Sequence, residues 1–301
     1  MTHDLIFIGH VCLDRLIPYE GEEQTGLGSA VYYGSMAAAH VGCSVAVITR
    51  MHPDDAGRLD PLREAGIDCT VIPAESTTRM LLRHPVPDVD VREMSQVASA
   101  GFMQSDELPP FRSRFVHLAG ITDQEFSLPF IRSLVSRGYS LSIDLQALVR
   151  QVDPKSRVIS FADARDKVEV VSLMDRVKLD AVEANILTGT ADLGAAAAIV
   201  ASWGCPEVVI TRSDGVLARV DGREYFEPFH HRSSVGRNGR GDTTFAGYMA
   251  WRLTHDPAEA LTFAAALVSI KMETPGPFRG SLDDVLARMA GKIPSDREPT
   301  R

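Results

Sequence analysis

The sequence predicts an α/β fold, a mostly parallel sheet with helices packed on both of its faces. Three observations predict it. Short apolar runs of strand length recur along the 301 residues, alanine-rich helical stretches alternate with them, and 45% of the chain is hydrophobic. The alternation is the pattern of β-α-β units, and the apolar content suffices for a core on each side of a large sheet. In such sheets ligands gather beyond the carboxyl ends of the strands. Strand ends and the loops after them therefore hold the first candidates for function.

Taken in order, residues 5–8 form a buried strand ending at Gly9, 29–41 a small-residue helix, and 45–48 a second strand. Residues 115–118 lead to Gly120 as a third strand, 130–137 are helical, and 141–144 form a strand ending in Asp144. Residues 177–179 and 208–210 are further strands, with an alanine-rich helix over 192–203 between them. Two segments break the rhythm. Residues 15–27 carry Pro18 and a glutamate cluster, and 69–102 alternate in strand fashion around 79–83 and 91–94 without a helical period. They predict a small antiparallel β-flap, a lid, inserted into one domain spanning 1–293, with 294–301 as a flexible polar tail. The exposed edges of such a flap invite pairing with a second copy, so a homodimer through the lid is one expectation.

Composition excludes several classes. A formal net charge of −9 and a pI near 5.5 argue against a nucleic-acid binder, though not against a small anionic ligand held by local amides and arginines. Cys12, Cys43, Cys69 and Cys205 form no close pair, so neither a zinc site nor a disulfide framework is expected. The apolar stretch 5–8 is too short for a signal peptide and the run 261–270 too short to span a bilayer. A cytoplasmic protein with no membrane partner is the expectation.

The most informative segment is Gly236-Arg237-Asn238-Gly239-Arg240-Gly241-Asp242-Thr243-Thr244, followed by a small-residue helix over 243–253. Glycines let a backbone turn tightly and approach a ligand, and amides at a helix start attract anions. An acid in the same turn can take a proton from a substrate hydroxyl, a combination suited to phosphoryl transfer. On these residues alone, Asp242 reads more simply as a helix cap, and no Gly-Lys-Ser/Thr phosphate loop accompanies it.

The segment resembles the C-terminal signature of the PfkB/ribokinase family of carbohydrate kinases, and other blocks match in the same order. Gly9-His10-Val11-Cys12-Leu13-Asp14 resembles the first strand and its sugar-binding aspartate. Gly26-Leu27-Gly28-Ser29-Ala30 is similar to the glycine loop after it, and Asp54-Asp55-Ala56-Gly57 to a third block. Asp180-Ala181-Val182-Glu183 resembles the family's Asn-x-x-Glu, Thr211 to Gly215 the nucleotide-side turn, and Pro275-Gly276 the loop bordering adenine. The resemblance implies a ribokinase-like three-layer α/β/α fold and an ATP- and Mg²⁺-dependent kinase acting on a hydroxyl of a small sugar or polyol. It implies Asp242 as general base and an anion hole from the amides of Gly239, Arg240 and Gly241. Asp14, Gly28 and Tyr32 fall at substrate positions, Thr211, Gly215, Pro275 and Gly276 at nucleotide positions, and Glu183 near Mg²⁺ and phosphates through water.

The chain also departs from the pattern. Gly236 stands where some members carry an acid that helps bind a monovalent cation, so cation activation is not expected. Tyr32 replaces a sugar-contacting Asn, and Arg240 replaces a small residue beside the anion hole, where its guanidinium either clamps a phosphate or faces solvent. Asp144 reads first as a cap of the next turn and second as a site acid. His230 and His231 lack a third ligand at metal spacing. Arg79 and Arg92 read first as solvated flap residues, Glu20, Glu22 and Glu23 as a solvated loop, and Gln124 and Glu125 fall loosely near a substrate position. Two alternatives stay open: a nucleoside or inositol kinase of the same family, with Tyr32 stacking on a ring, and a non-catalytic binding regulator on the kinase fold. A Rossmann oxidoreductase is disfavoured because no Gly-x-Gly-x-x-Gly follows the first strand.

Overall fold

The computed structural model describes residues 2–87 and 91–291. The chain opens with β1 (Thr2–Ile8), β2 (Cys12–Ile17), β3 (Gln24–Gly28), α1 (Ala30–His40) and β4 (Val45–Met51). A short 3-10 turn (Pro53–Leu59) and α2 (Asp60–Glu64) lead to β5 (Asp68–Pro73), β6 (Arg79–Arg83), β7 (Glu93–Ala98) and β8 (Arg112–Leu118). Next come α3 (Leu128–Ser136), β9 (Leu141–Asp144), α4 (Gln146–Val149), β10 (Arg150–Val152), β11 (Ile159–Phe161), α5 (Lys167–Ser172) and β12 (Arg176–Asp180). Then α6 (Ala181–Thr188), α7 (Leu193–Ser202), β13 (Glu207–Thr211), β14 (Gly215–Val220) and β15 (Arg223–Pro228) precede α8 (Arg240–Arg252), α9 (Pro257–Met272) and α10 (Leu282–Met289).

Nine strands form the central sheet in the order β15-β14-β13-β12-β9-β8-β1-β4-β5. Pairing is parallel from β5 through β13, and the β13-β14-β15 edge is antiparallel. Strand alternation divides the core in two. Leu5, Phe7, Val45 and Val47 pack with α1, α8 and α9 on one face, while Ile6, Ile8, Ala46 and Ile48 pack with α3 and α7 on the other. That is the three-layer α/β/α arrangement. The helices begin where short polar side chains hold their first amides: Ser127 accepts from Phe130 N at 3.3 Å, Asp192 from Ala195 N at 2.7 Å and Asp256 from Glu259 N at 2.9 Å. No single described helix is long and apolar enough to cross a membrane.

A second, four-stranded sheet runs β3-β2-β6-β7. It corrects the expected flap in three respects. Residues 69–73 belong to β5 of the central sheet, not to the flap. β5 is an edge strand with only Ile72 buried, so its half-exposed alternation mimics a flap strand. The first flap segment is wider than 15–27, because β2 starts at Cys12 and carries Asp14 away from the end of β1. Finally, the flap is not wholly antiparallel, since β2 pairs with β6 in parallel. The tail expected over 294–301 lies outside the described residues. A small β10-β11 hairpin, not expected from the sequence, touches the flap through a Ser95–Val158 bridge.

Candidate active site

A cleft of about 600 Å³ opens where the ends of β12 and β13, the start of α8 and the four-stranded sheet converge. Its floor is the N-terminus of α8. Gly239 is the cap residue, at φ 72° in the left-handed region, and no side chain caps the helix. A side chain at Gly239 would also run into the Tyr33 ring, so glycine is required twice over. Asp242 sits in the first turn and lines the cleft; the helix-cap reading of this residue does not hold. The Arg240 amide donates to the Arg237 carbonyl at 3.1 Å, which differs from the expectation that it faces an anion. First-turn amides lack partners within a helix, which leaves those of Gly241 and Asp242 for a ligand.

Lys178 lies directly beneath this turn. A Cβ built on Gly241 would stand 3.1 Å from its Nζ, so the glycine lets the backbone rest on the ammonium. Lys178 and Asp144 form a 2.8 Å ion pair whose side chains are 4% and 1% exposed. Burial alone would push Lys178 down, but Asp144, then Glu183 and Asp242, hold it above the ordinary lysine value. Burial raises Asp144, and Lys178 opposes that rise. Asp144 also accepts from Gln146 N at 3.0 Å. It is thus both a turn cap and the partner of a cleft lysine.

The walls are rich in basic side chains, three of which (Lys178, Arg150 and Arg212) are paired with acids outside the lining. Lys178, Arg92, Arg150, Arg212, Arg237 and Arg240 line the cleft, against three acids, Asp14, Asp180 and Asp242. Arg150 stands over the Phe161 ring at 5.8 Å, and its Nε is buried without a hydrogen-bond partner. Arg212 holds Asp214 through bonds of 2.5 and 2.9 Å. Arg92 is exposed, as expected of a flap residue, and also lines the cleft, whereas Arg79 pairs with Asp55 at 3.6 Å outside it.

The opposite wall comes from the flap and the start of α1. Asp14 on β2 accepts from the Cys12 thiol at 2.8 Å, and burial raises its carboxyl to about 6, the thiol acting against the rise. Gly28 is not itself in the lining; a side chain there would overlap the Asp14 carboxylate, so its bareness seats Asp14. Ser29, at φ 103°, holds the left-handed region that most side chains avoid and lines the cleft beside Tyr33. The apolar side chains of Met80, Leu82, Met94 and Ile121 complete this wall.

Several expected residues fall elsewhere. Tyr32 is 8% exposed and packed in the core, and Tyr33 lines the cleft instead. Successive helix residues point about 100° apart, so a one-residue shift in reading α1 exchanges a core ring for a site ring. Glu183 is fully buried below the cleft, where it completes a capping box with Asp180 and sits 3.4 Å from Arg150. Burial, then Asp180, raises its carboxyl. Thr211 is in the lining, but Gly215, Pro275 and Gly276 are not. Glu125 is a buried structural acid that accepts from the amides of His10 at 2.8 Å and Ile121 at 2.5 Å. Among the described residues no three His, Cys, Asp or Glu side chains cluster as a metal site.

Lys178, Arg150 and Lys271 carried no weight in the sequence. Two of them had a signal: Lys178 interrupts a strand-length apolar run and Lys271 an apolar helix, and a charge at a core position needs a partner.

Residues 34–283 match the profile of the pfkB family carbohydrate kinases. A cytidine kinase from Thermococcus kodakarensis is 26% identical over 255 residues, covering 82% of this chain and 87% of its own. Two solved structures of pyrophosphate-dependent kinase in the ribokinase family are similar throughout. One is a sulfate complex, 30% identical with a TM-score of 0.87. The other is bound to a pyrophosphate analogue and myo-inositol, 29% identical with a TM-score of 0.85. Each covers 94% of this chain and 99% of its own. Fold, site and family profile agree, and the chain belongs to the pfkB family of carbohydrate kinases.

Proposed function

We propose that this kinase transfers a phosphoryl group from a compact donor, inorganic pyrophosphate, to a hydroxyl of a cyclic polyol such as an inositol. The observation that carries the reading is the uncapped start of α8, with Asp242 in its first turn, ringed by six basic side chains. The acceptor oxygen attacks phosphorus, the bridging P–O bond breaks, orthophosphate leaves, and the acceptor proton passes to Asp242. The Gly241 and Asp242 amides and the Lys178 ammonium meet the transferred group. Such pre-aimed charge is the main resource of phosphoryl-transfer enzymes.

The donor half of the reading rests on charge and reach. Arg150, with an unpartnered Nε, and Arg92, Arg212 and Arg237 suit a small polyanion. Gly215, Pro275 and Gly276, which would border a nucleoside, stand off the cleft. The similarity to pyrophosphate-dependent kinases supports the same choice. Asp180, the acid of the lining nearest the start of α6, would hold Mg²⁺ with most of its waters kept, while Glu183 is buried below the lining. The ion would neutralise donor charge. The acceptor half rests on Asp14, with Tyr33 and the flap methionines as an apolar face for a ring.

The test pairs pyrophosphate and ATP with myo-inositol, ribose and cytidine, and reads products by phosphorus NMR. Pyrophosphate with myo-inositol is expected to give an inositol monophosphate and orthophosphate. Turnover with ATP alone would overturn the donor assignment. A second reading, ATP with a nucleoside acceptor, draws on Tyr33 in the cleft lining as an aromatic contact for a base and on the cytidine kinase relative; cytidine phosphate formed from ATP would establish it. A lid-mediated dimer, pairing along the edge strand β3, is excluded if sedimentation finds a monomer.

A further inference from the structure

Lys271 is a lysine almost wholly inside the protein, 1% exposed, in the last turn of α9. Its ammonium donates to the carbonyl oxygens of Gly236 and Asn238. These are the residues that lead into Gly239 and the start of α8. The same ammonium stands 5.1 Å from the centre of the Tyr33 ring, which also packs against Gly239 and, edge-on, against Tyr32. Two carbonyls and an aromatic face are a cation's environment. Backbone carbonyls are also the ligands that a potassium ion takes in proteins.

The loop is built to bring this about. The Gly236 amide donates to the Met272 carbonyl at 2.9 Å, so the loop lies flat on the end of α9. A side chain at Gly236 would overlap the Thr274 carbonyl. The acid that the family resemblance implied here for holding a free cation therefore does not fit without displacing that turn. The helix C-terminus adds its own preference for positive charge.

We propose that the Lys271 ammonium is a tethered monovalent cation, supplied by the chain itself, that positions the Gly236–Asn238 carbonyls and through them the anion-binding start of α8. Lys271 is a positioning residue and touches no substrate. It fixes where the Gly241 and Asp242 amides point, and it makes a dissolved monovalent ion unnecessary. The proposal rests on the reading of α8 as the phosphoryl-transfer site.

Two series test it. In the first, wild-type turnover and melting temperature are measured in sodium, potassium and tetramethylammonium chloride at constant ionic strength; neither is expected to depend on the cation. In the second, Lys271→Met and Lys271→Ala are assayed the same way. Loss of the fixed charge is expected to lower kcat by about 10²-fold, the scale of a misplaced reacting group, with little change in KM. In Lys271→Ala, potassium or methylammonium, but not tetramethylammonium, is expected to raise both kcat and the melting temperature in a saturable way. Potassium activation of the wild type would overturn the proposal even if neither variant folds. So would full activity of Lys271→Met, or a Lys271→Ala protein whose melting ignores every cation. Melting is read without substrates, so a failed kinase reading and a failed cation reading give different results.

Discussion

Breaking the Lys178–Asp144 pair tests the floor of the cleft. Lys178→Met keeps the length of the side chain and removes its charge, leaving the Asp144 carboxylate buried with its 2.8 Å partner gone. Removing one member of a buried pair costs about 3–5 kcal/mol, whereas replacing both members with apolar groups is often neutral. At about 2.1 cal/mol/K of unfolding entropy per residue, the 301-residue chain loses about 5–8 °C of melting temperature for that cost. The deficit has a definite pH sign. Burial raises Asp144 and Asp242 pushes the same way; without Lys178 only the Gln146 amide still opposes the rise. A carboxyl raised in the folded state favours folding at low pH and loses that contribution as pH climbs to its folded value. The deficit should therefore be full at pH 8 and shrink as pH falls toward the ordinary carboxylate range, about 4. Lys178→Met/Asp144→Leu should recover most of the stability and none of the activity, with kcat still about 10²–10³-fold down for want of the charge under the transferred group. Urea unfolding at two pH values, alongside steady-state turnover, reads both. A deficit that is equal at both pH values, or a double variant that regains turnover, would refute the account.

Other variants separate the remaining roles. Asp242→Asn should lower kcat by about 10²–10⁴-fold while leaving the melting temperature unchanged, since the side chain caps nothing. Tyr32→Ala should cost about 3–5 kcal/mol of stability, as for other buried aromatics, with kcat preserved in the folded fraction; Tyr33→Ala should raise acceptor KM. Asp14 carries its charge above a value of about 6, so acceptor KM should rise about tenfold per pH unit below that point, and Asp14→Asn should abolish the dependence. A KM profile of the wild type that stays flat from pH 7 to 5 would remove Asp14 from the acceptor site.

The fold was legible because its parallel strands, sealed on both faces, read as continuous apolar runs, as in residues 5–8 and 208–210. The flap was only partly legible. A strand at the edge of a sheet, such as β5, shows the same half-exposed alternation as a strand of the flap, and only the pairing partner tells them apart. Tyr32 and Tyr33 are adjacent aromatics whose roles exchange with a rotation of one residue, which no motif fixes. Glu183 was placed by motif near the phosphates, yet its buried carboxylate is taken up by the Asp180 amide at 2.8 Å. Lys178 was hidden for the opposite reason. It lies beside the Asp180-x-x-Glu183 block but has no role in that motif, and its significance comes from Asp144, 34 residues away.

Net charge concealed the site for a related reason. The chain carries a formal −9, yet its cleft sets six basic residues against three acids. A whole-chain sum averages over distances much larger than the ~8 Å over which charges act in physiological salt, so it says nothing of a site of this size. The basic residues come from five separate stretches of sequence: the flap, the β10-β11 hairpin, β12, the end of β13, and the loop that leads into the first residue of α8. None of those stretches is basic enough alone to read as an anion site. They become one only because parallel strands deliver their carboxyl ends to a single edge, and the uncapped helix start of α8 points at the same place. The convergence of basic side chains on the cleft is therefore a property of the topology rather than of the composition.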